Sequence, residues 1–344
     1  MIFLTDKNFR ENLFPFTHTR HTANIRIGIL TIKEKWELLL REKVSLDENK
    51  AGTYIPANII PTKENYKSII TAAEKNIFLM ETDNVKIISF PWHIFQLNDY
   101  ALRQDFLVLT DDKISKTLNG SNKLINSENI FIAKDVKVNN CFLNASNGPI
   151  FIDEAAEIME GSMIRGPFYL GKNSVVKMGS KIYGATTVGP NCIVGGEIKN
   201  SVLFGNSNKA HDGYLGDSVI GEWCNLGAGT SNSNIKNNAG NVGYTLEKDT
   251  QAIFAGNKAG LLMGDYSRAA INTSFNTGTL VGICCNIFGE IMPPKFSENF
   301  TWGAEKYIFD KVIQDIDNWK KMKGQSISTK EIEMLKKLYL QTNN

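Results

Sequence analysis

A repeat of six residues in the middle of the chain constrains the fold more than any other feature. Six is neither the 3.6-residue period of an α-helix nor the two-residue alternation of a strand. Each hexapeptide therefore predicts a short strand followed by a turn, with one inward aliphatic side chain. Three such units make one triangular coil, and stacked coils make a parallel β-solenoid. The aliphatic positions without a break are Ile152, Ile158, Ile164, Leu170, Val176, Ile182, Val188 and Val194.

The two ends of the chain have a different composition from this middle part. Of the 28 glycines, 23 fall between Gly148 and Gly289, where a solenoid needs its turns. Residues 1–138 alternate strand-like and helix-like patterns, which predicts a compact α/β domain ahead of a solenoid at 139–302. In the tail at 303–344, helical spacing and the capping box Ser328-x-x-Glu331 predict two amphipathic helices.

Charge and cysteine content exclude several classes of protein. The 38 Lys and Arg against 36 Asp and Glu give a net charge of +2, so no general attraction to nucleic acid or to a membrane is expected. Acidic residues interrupt the N-terminal segment, and no apolar run reaches about 18 residues, so neither export nor membrane anchoring is expected. Five cysteines without metal-ligand spacing predict buried thiols in the cytoplasm.

The period of six stops after Val194 and returns at Ile220 and Leu226. This interruption predicts a loop that leaves the solenoid, and such loops commonly carry binding sites. His211, one of four histidines, lies in the interruption. A histidine can accept a proton near pH 7 because its uncharged form is available there.

Three segments around His211 resemble one known family. They are EIK at Glu197–Lys199, NKAHDGYLGDSVIGEW at Asn208–Trp223 and NLGAGTSNSN at Asn225–Asn234. They are similar to the acetyltransferase half of the bifunctional N-acetylglucosamine-1-phosphate uridyltransferase/glucosamine-1-phosphate acetyltransferase family. The resemblance implies a left-handed parallel β-helix, a homotrimer, acetyl-CoA as acyl donor and an amino-sugar phosphate as acceptor, in the pathway to UDP-N-acetylglucosamine or a related nucleotide sugar.

The resemblance also implies roles for individual residues. His211 would be the general base that takes a proton from the sugar amine, and the backbone N–H of Ala228 would face the oxyanion. Lys199 would hold the sugar phosphate, Tyr214 and Asn225 would bind the sugar, and Asn234 would lie near the acyl donor. Beyond Asn234 the sequence diverges from the family. A second cation for the phosphate is expected, with Lys177 taken first among the candidates Arg165, Lys177 and Lys181. The alternative is a loop histidine on a scaffold that binds sugar nucleotides without acylating them.

The N-terminal segment ENLFPFTHTRHTANIRIGILTIKEKW resembles a compact variant of the nucleotidyltransferase-like domain that is fused to the same β-helix in a subgroup of bacterial proteins. The glycine-rich phosphate loop of ordinary nucleotidyltransferases is missing, because no glycine precedes Gly28. The resemblance makes a nucleoside triphosphate a possible substrate and implies Mg²⁺ if the domain is active. Alternatively, arginines here pair with acids at the domain interface and Asp6 caps a turn. The candidates for phosphate or metal contacts are Asp6, Arg10, Arg20 and Arg26.

Overall fold

The computed structural model describes residues 1–47 and 50–342, and its middle part is a parallel β-solenoid with three sheets, which we call faces 1, 2 and 3. Face 1 contains Lys123–Ile125, Phe142–Asn144, Met163–Arg165, Lys181–Tyr183, Glu197–Lys199 and Tyr214–Gly216. Face 2 contains Ile130–Ile132, Ile150–Ile152, Phe168–Leu170, Thr186–Val188, Val202–Gly205, Val219–Glu222, Leu261–Met263, Thr279–Val281 and Phe296–Ser297. Face 3 contains Lys137–Val138, Glu157–Ile158, Val175–Val176, Ile193–Val194, Asn208–Lys209, Asn225–Leu226, Arg268–Ala269, Asn286–Ile287, Thr301–Trp302 and Glu305–Lys306.

The predicted inward positions form the core of this solenoid. All eight aliphatic residues of the uninterrupted repeat are at most 2% exposed and belong to one apolar cluster. They pass in rotation through faces 2, 3 and 1, so that residues 18 apart, such as Ile152 and Leu170, are partners on adjacent strands. The period of six is thus the length of one side of the triangle. The first solenoid strand, Lys123–Ile125, lies on the N-terminal side of the boundary predicted at 138/139.

The predicted projecting loop between Val194 and Ile220 is wrong. The chain stays in the stack, and its inward residues are Ile198, Leu203, Lys209 and Leu215, each in register with the coil before it. The intervals from Val194 to Ile220 become four, five, six, six and five residues because the turns shorten while the strands keep their place. The six-residue spacing is lost here, but the chain continues to coil through the same three faces.

A real excursion from the solenoid begins later, after Asn234. It contains the antiparallel strands Val242–Tyr244 and Ile253–Gly256 and ends where the N–H of Ala259 donates to the carbonyl of Asn234 over 2.9 Å. The chain therefore leaves and re-enters the stack at adjacent points. The strand Ser231–Asn232, before the excursion, pairs in parallel with Ser274–Phe275, after it, so the stack continues across the excursion.

The N-terminal part, from the strand Ile2–Thr5 to the helix Asn98–Thr110, we call the head, and it has the predicted α/β character. Its parallel strands Ile2–Thr5 and Thr53–Pro56 are accompanied by two antiparallel pairs and by short helices. The antiparallel pairs are Arg26–Ile27 with Leu30–Thr31 and Ile59–Ile60 with Lys86–Ile87. The α-helices are Ile32–Leu40, Tyr66–Glu74, His93–Gln96 and Asn98–Thr110. The 3₁₀ turns are Glu11–Leu13 and Thr22–Asn24, with a third at Ser127–Asn129 after the head. Thr31 and Glu34 form the expected capping box at the start of the first helix.

The head and the solenoid share one apolar core across face 2. Phe16 of the head packs edge-on against Phe204 with ring centroids 5.2 Å apart, and Trp92 stacks on Tyr244 of the excursion at 5.4 Å. The hydroxyl of Thr187 on face 2 also donates to the carbonyl of Gly28 over 2.8 Å. These contacts fix the head on face 2.

The tail forms the two predicted helices, Phe309–Lys321 and Thr329–Gln341. They cover the edge between faces 2 and 3, where they bury Trp223, Tyr266 and Phe300. In the turn between the helices, the ammonium of Lys323 donates to the carbonyls of Asn191 (2.6 Å) and Asn206 (2.9 Å). No helix within residues 1–47 and 50–342 is both long enough and apolar enough to cross a membrane.

Candidate active site

His211 lies at the corner where the chain passes from face 3 to face 1, which we call the site corner (residues 195–196, 210–213 and 227–229). It follows the face 3 strand Asn208–Lys209 and comes shortly before the face 1 strand Tyr214–Gly216. Its imidazole is exposed, with no hydrogen-bond partner among the residues that the structure describes. Gly195 keeps the corner tight, because a Cβ there would lie 2.3 Å from the carbonyl oxygen of Ala210.

Ala228 occupies the equivalent position one coil further along. Asn208 and Asn225 are register partners, so His211 and Ala228 each lie three residues past a matched pair. The Ala228 carbonyl accepts from the N–H of Asn272 over 2.7 Å, whereas its own N–H has no acceptor in the described part of the chain. An unpaired backbone donor thus lies one coil from the candidate base.

Tyr214 and Asn234 are joined directly at the face 1 side of the corner. The amide of Asn234 donates to the phenolic oxygen of Tyr214 over 3.1 Å and to the carboxylate of Asp217, which also accepts from Asn200 over 2.7 Å. Burial raises the pKa of Tyr214, and the nearby charge of Asp217 raises it further. Tyr214 therefore stays a phenol, and its O–H remains available to donate to a ligand.

The sequence missed Asp217 and Asn200, although a signal for them was present. Each of the two bonds that Asp217 makes to an asparagine joins residues 17 apart. That number is also the separation of the register partners Asn208 and Asn225. Pairs of polar residues one coil apart could therefore have identified this network.

Lys199 lies on face 1, next to Tyr183 and Glu197. Its ammonium is 5.8 Å from the centroid of the Tyr183 ring, and the Tyr183 hydroxyl donates to Glu197 over 2.6 Å. That hydrogen bond, together with burial, raises the pKa of Tyr183 to about 12. Glu197 is thereby engaged by Tyr183, and Lys199 stays half-buried on the outer surface of face 1.

The three candidates for a second cation lie at three different places. Arg165 ends a face 1 strand and continues the outward row of Tyr183 and Lys199. Lys181 is the register partner of Glu197, and Lys177 lies one coil before the site corner, with its Cβ beneath Gly195. Arg165 and Lys199 therefore point outward in one row, whereas Lys177 lies on the His211 side.

Asn225 lies on the other side of the corner, on face 3. Its side-chain oxygen accepts from Asn208 over 3.5 Å, and its register partner on the next coil is Arg268. Tyr214 and Asn225 therefore lie on opposite sides of His211. A ligand that reached both side chains would lie across the exposed imidazole.

The N-terminal candidates are engaged with other protein groups. One Asp6 oxygen accepts from Arg10 (2.8 Å) and from both the N–H (2.9 Å) and the hydroxyl (3.1 Å) of Thr22. The Arg20 guanidinium contacts Asp265 of the solenoid at 2.5 Å and lies 4.9 Å from the Phe204 ring centroid. Arg26 donates to the Ile29 carbonyl and lies 3.6 Å from Glu34. Arg20 therefore pairs with an acid where the head meets the solenoid, whereas the acid next to Arg26, Glu34, belongs to the head itself.

The same contacts bear on the implied Mg²⁺. Within residues 1–47 and 50–342, no three His, Cys, Asp or Glu side chains are grouped so that they could hold a metal ion. The Asp6 carboxylate, the one acidic candidate, is already bound by Arg10 and Thr22. The described residues therefore offer no site of three such side chains for Mg²⁺, and we assign no catalytic step to the metal.

A cavity of about 700 Å³ opens in the head at the carboxyl ends of the strands Ile2–Thr5 and Thr53–Pro56. Its walls are mostly apolar, with Phe9, Tyr54 and Phe78 among them, and Asn58 supplies a polar group. Ligands of α/β folds commonly bind at this end of a parallel sheet.

The N-terminal segment of the head matches a known family. Residues 2–50 match the family model described as sugar nucleotidyl transferase. The chain therefore combines a sugar nucleotidyltransferase-like head with a hexapeptide-repeat solenoid.

Two relatives are named as bifunctional proteins, and the name of one of them gives both activities. A bifunctional sugar-1-phosphate nucleotidylyltransferase/acetyltransferase from Sulfurisphaera tokodaii is 31% identical over 225 residues, which are 62% of this chain and 49% of that protein. The bifunctional protein GlmU from Methanocaldococcus jannaschii is 30% identical over 118 residues, 34% of this chain and 28% of that protein. The matches thus span about half or less of these relatives' length. They confirm the predicted resemblance to the bifunctional uridyltransferase/acetyltransferase family.

Proposed function

We propose that this protein transfers an acetyl group from acetyl-CoA to the amine of a hexosamine 1-phosphate, in the biosynthesis of a nucleotide sugar. One observation carries the proposal: the exposed imidazole of His211 lies one coil from the unpaired N–H of Ala228. A base and an oxyanion donor on adjacent coils are the two groups that amine acylation requires. The acetyltransferase activity in the name of the Sulfurisphaera tokodaii relative supports the same chemistry.

The proposed reaction uses these groups in order. The sugar amine attacks the thioester carbonyl carbon, a C–N bond forms, and His211 takes the proton that the nitrogen loses. The carbonyl oxygen becomes an oxyanion that accepts a hydrogen bond from the Ala228 N–H. When the intermediate collapses, the C–S bond breaks, and the leaving thiolate takes a proton to give free CoA. Tyr214 and Asn225 would hold the sugar on either side of His211.

Lys199 is proposed to bind the phosphate of the acceptor sugar. Lys199→Met should raise KM for glucosamine 1-phosphate by about 10- to 100-fold with little change in kcat, because a hydrogen bond to a charged group contributes about 1.5–3 kcal/mol. Lys123→Met, an exposed lysine on the first strand of the same face, is the matched control and should leave KM unchanged. Steady-state kinetics measure both values. An unaltered KM in Lys199→Met would exclude this residue from the phosphate site.

The proposal itself is tested by the release of free thiol. Protein mixed with acetyl-CoA and glucosamine 1-phosphate should produce CoA thiol and N-acetylated sugar in equal amounts. Omitting the sugar should stop thiol release, because the amine is the nucleophile. If neither product forms with several hexosamine 1-phosphates, while nucleotide sugars raise the melting temperature, the protein is a binding scaffold instead.

Sugar-1-phosphate nucleotidyl transfer in the head is the second candidate, favoured by the family match at residues 2–50 and by the cavity beside Asn58. It would release pyrophosphate from UTP or dTTP in the presence of a sugar 1-phosphate and Mg²⁺. The internal pairing of Arg20 and Arg26 argues against these two as its phosphate ligands. Pyrophosphate release that survives Arg20→Ala would support the second activity with other ligands.

A cytoplasmic location and a homotrimer complete the proposal. All five cysteines are buried free thiols, as is typical of a reducing compartment. The trimer follows from the family resemblance, and light scattering coupled to size-exclusion chromatography would measure it.

A further inference from the structure

Lys209 occupies an inward position that carries aliphatic side chains on the neighbouring coils. Its register partner on the preceding coil is Val194, and Leu226 takes the same position on the next coil, both in the apolar core. Lys209 itself is 1% exposed. A lysine is rarely buried so completely, because an ammonium loses its hydration in an apolar interior.

The buried ammonium is held by backbone carbonyls. It donates to the carbonyl of Gly195 over 3.2 Å and to the carbonyl of His211. Among residues 1–47 and 50–342, no carboxylate lies within 4.0 Å of it. Both acceptors belong to the site corner, and one of them is the candidate base itself. An aliphatic residue here would pack without this desolvation cost, so the lysine calls for a role beyond packing.

We propose that Lys209 is a positioning residue for His211. The hydrogen bond from its ammonium to the His211 carbonyl fixes the orientation of the peptide plane from which the imidazole projects. This inference rests on the proposed acetyl transfer. An exposed corner residue otherwise has several orientations available, and a reacting group misplaced by about 1 Å can lose about 10²-fold in rate. The effect of Lys209 is therefore on kcat.

The hydrogen bond from Lys209 to the His211 carbonyl should depend on pH, because the ammonium can lose its proton. Burial lowers the pKa of Lys209 to about 8, and Asp212 acts in the opposite direction. His211 at this corner and Lys177 one coil before it are the other titratable groups, while Val194 and Leu226 on the adjacent coils carry no charge. Above about pH 8 the ammonium becomes an amine, and its bond to the His211 carbonyl loses the assistance of the charge.

Burial also determines the sign of the effect on stability. The pKa in the folded state lies below the ordinary value of 10.5, so between about pH 8 and 10.5 the unfolded chain binds more protons than the folded one. The contribution of Lys209 to stability therefore improves as pH rises through this range and is least favourable below pH 8. Lys209→Met removes the buried charge and should raise the melting temperature at pH 7.

Kinetics on the full chain test the inference. Lys209→Met should lower kcat by about 10- to 100-fold while KM for the sugar phosphate stays within about twofold. In the wild type, kcat should fall with a midpoint near pH 8. Lys209→Arg, which keeps its charge, should restore part of kcat and move that fall to higher pH. Leu226→Met, one coil further in the same inward column, is the matched control and should change neither kcat nor the pH profile.

The ¹⁵N signals of the His211 imidazole give a readout that does not depend on activity. They should show a change with a midpoint near pH 8 in the wild type, and the change with this midpoint should be lost in Lys209→Met. Wild-type protein that transfers no acetyl group would contradict the proposed function alone, and the signals would still test the Lys209 contact. An unchanged kcat and unchanged imidazole signals in Lys209→Met would overturn the inference. If that variant does not fold, a wild-type profile without the fall near pH 8 would do the same.

Discussion

His211→Ala should lower kcat for acetyl transfer by about 10²–10⁴-fold, the range that a positioned general base contributes. The loss follows from the chemistry, because no group would then remove the proton from the attacking amine. The fold should not suffer, since the imidazole is exposed and makes no hydrogen bond within the described part of the chain. The melting temperature of the variant should therefore equal that of the wild type.

Thiol release from acetyl-CoA and thermal unfolding together measure this result. Met178→Ala is a suitable control, because Met178 is 67% exposed near the same corner, on an earlier coil. This control should retain full activity. A His211→Ala protein that acetylates at the wild-type rate would remove the histidine from the mechanism, and the scaffold alternative would then gain support.

Lys35→Met should destabilise the protein by about 3–5 kcal/mol, as expected when a buried ion pair loses one partner. The Lys35 ammonium and the Asp105 carboxylate are in direct contact, and their side chains are 2% and 6% exposed. Asp105 also accepts the backbone N–H groups of Ile29 (2.7 Å) and Leu30 (3.1 Å). The variant would leave a buried carboxylate without its counter-charge.

Denaturant unfolding measures this loss against two further variants. Lys33→Met, on the same helix, removes a partly exposed partner of Glu37 at 3.7 Å and should cost about 0–1 kcal/mol. The double variant Lys35→Met/Asp105→Asn should recover part of the loss, because a neutral amide still accepts the two N–H groups. Equal stability of Lys33→Met and Lys35→Met would show that the buried pair contributes nothing specific.

The solenoid could be predicted because its periodicity is a local property of the sequence. Each inward aliphatic from Ile152 to Val194 marks one side of the triangle, and the structure keeps all of them in the core. The break after Val194 misled the prediction because a turn can lose one or two residues without moving the strand that follows. Ile198 and Leu203 had the right chemistry for inward positions, but only the observed register reveals their place.

The pairings at the head could not be predicted, because they join residues that are far apart in sequence. Arg20 meets Asp265 across 245 positions, and no local pattern links the two. The segment around Arg20 suggested phosphate binding only through the family resemblance. The role of Lys209 was not predicted either, although this residue is close to His211 in the sequence. Sequence alone does not distinguish a lysine that points into the solenoid from one that points outward.

The apolar core shared by the head and face 2 has a practical consequence for anyone who would study the two halves separately. A cut at 138/139 would strip the cover from Val202, Phe204, Leu262 and Leu280, which are buried against the head. Fragments with such bare surfaces tend to self-associate and precipitate. Dissecting the two candidate activities therefore calls for point variants in the intact chain, not for truncation.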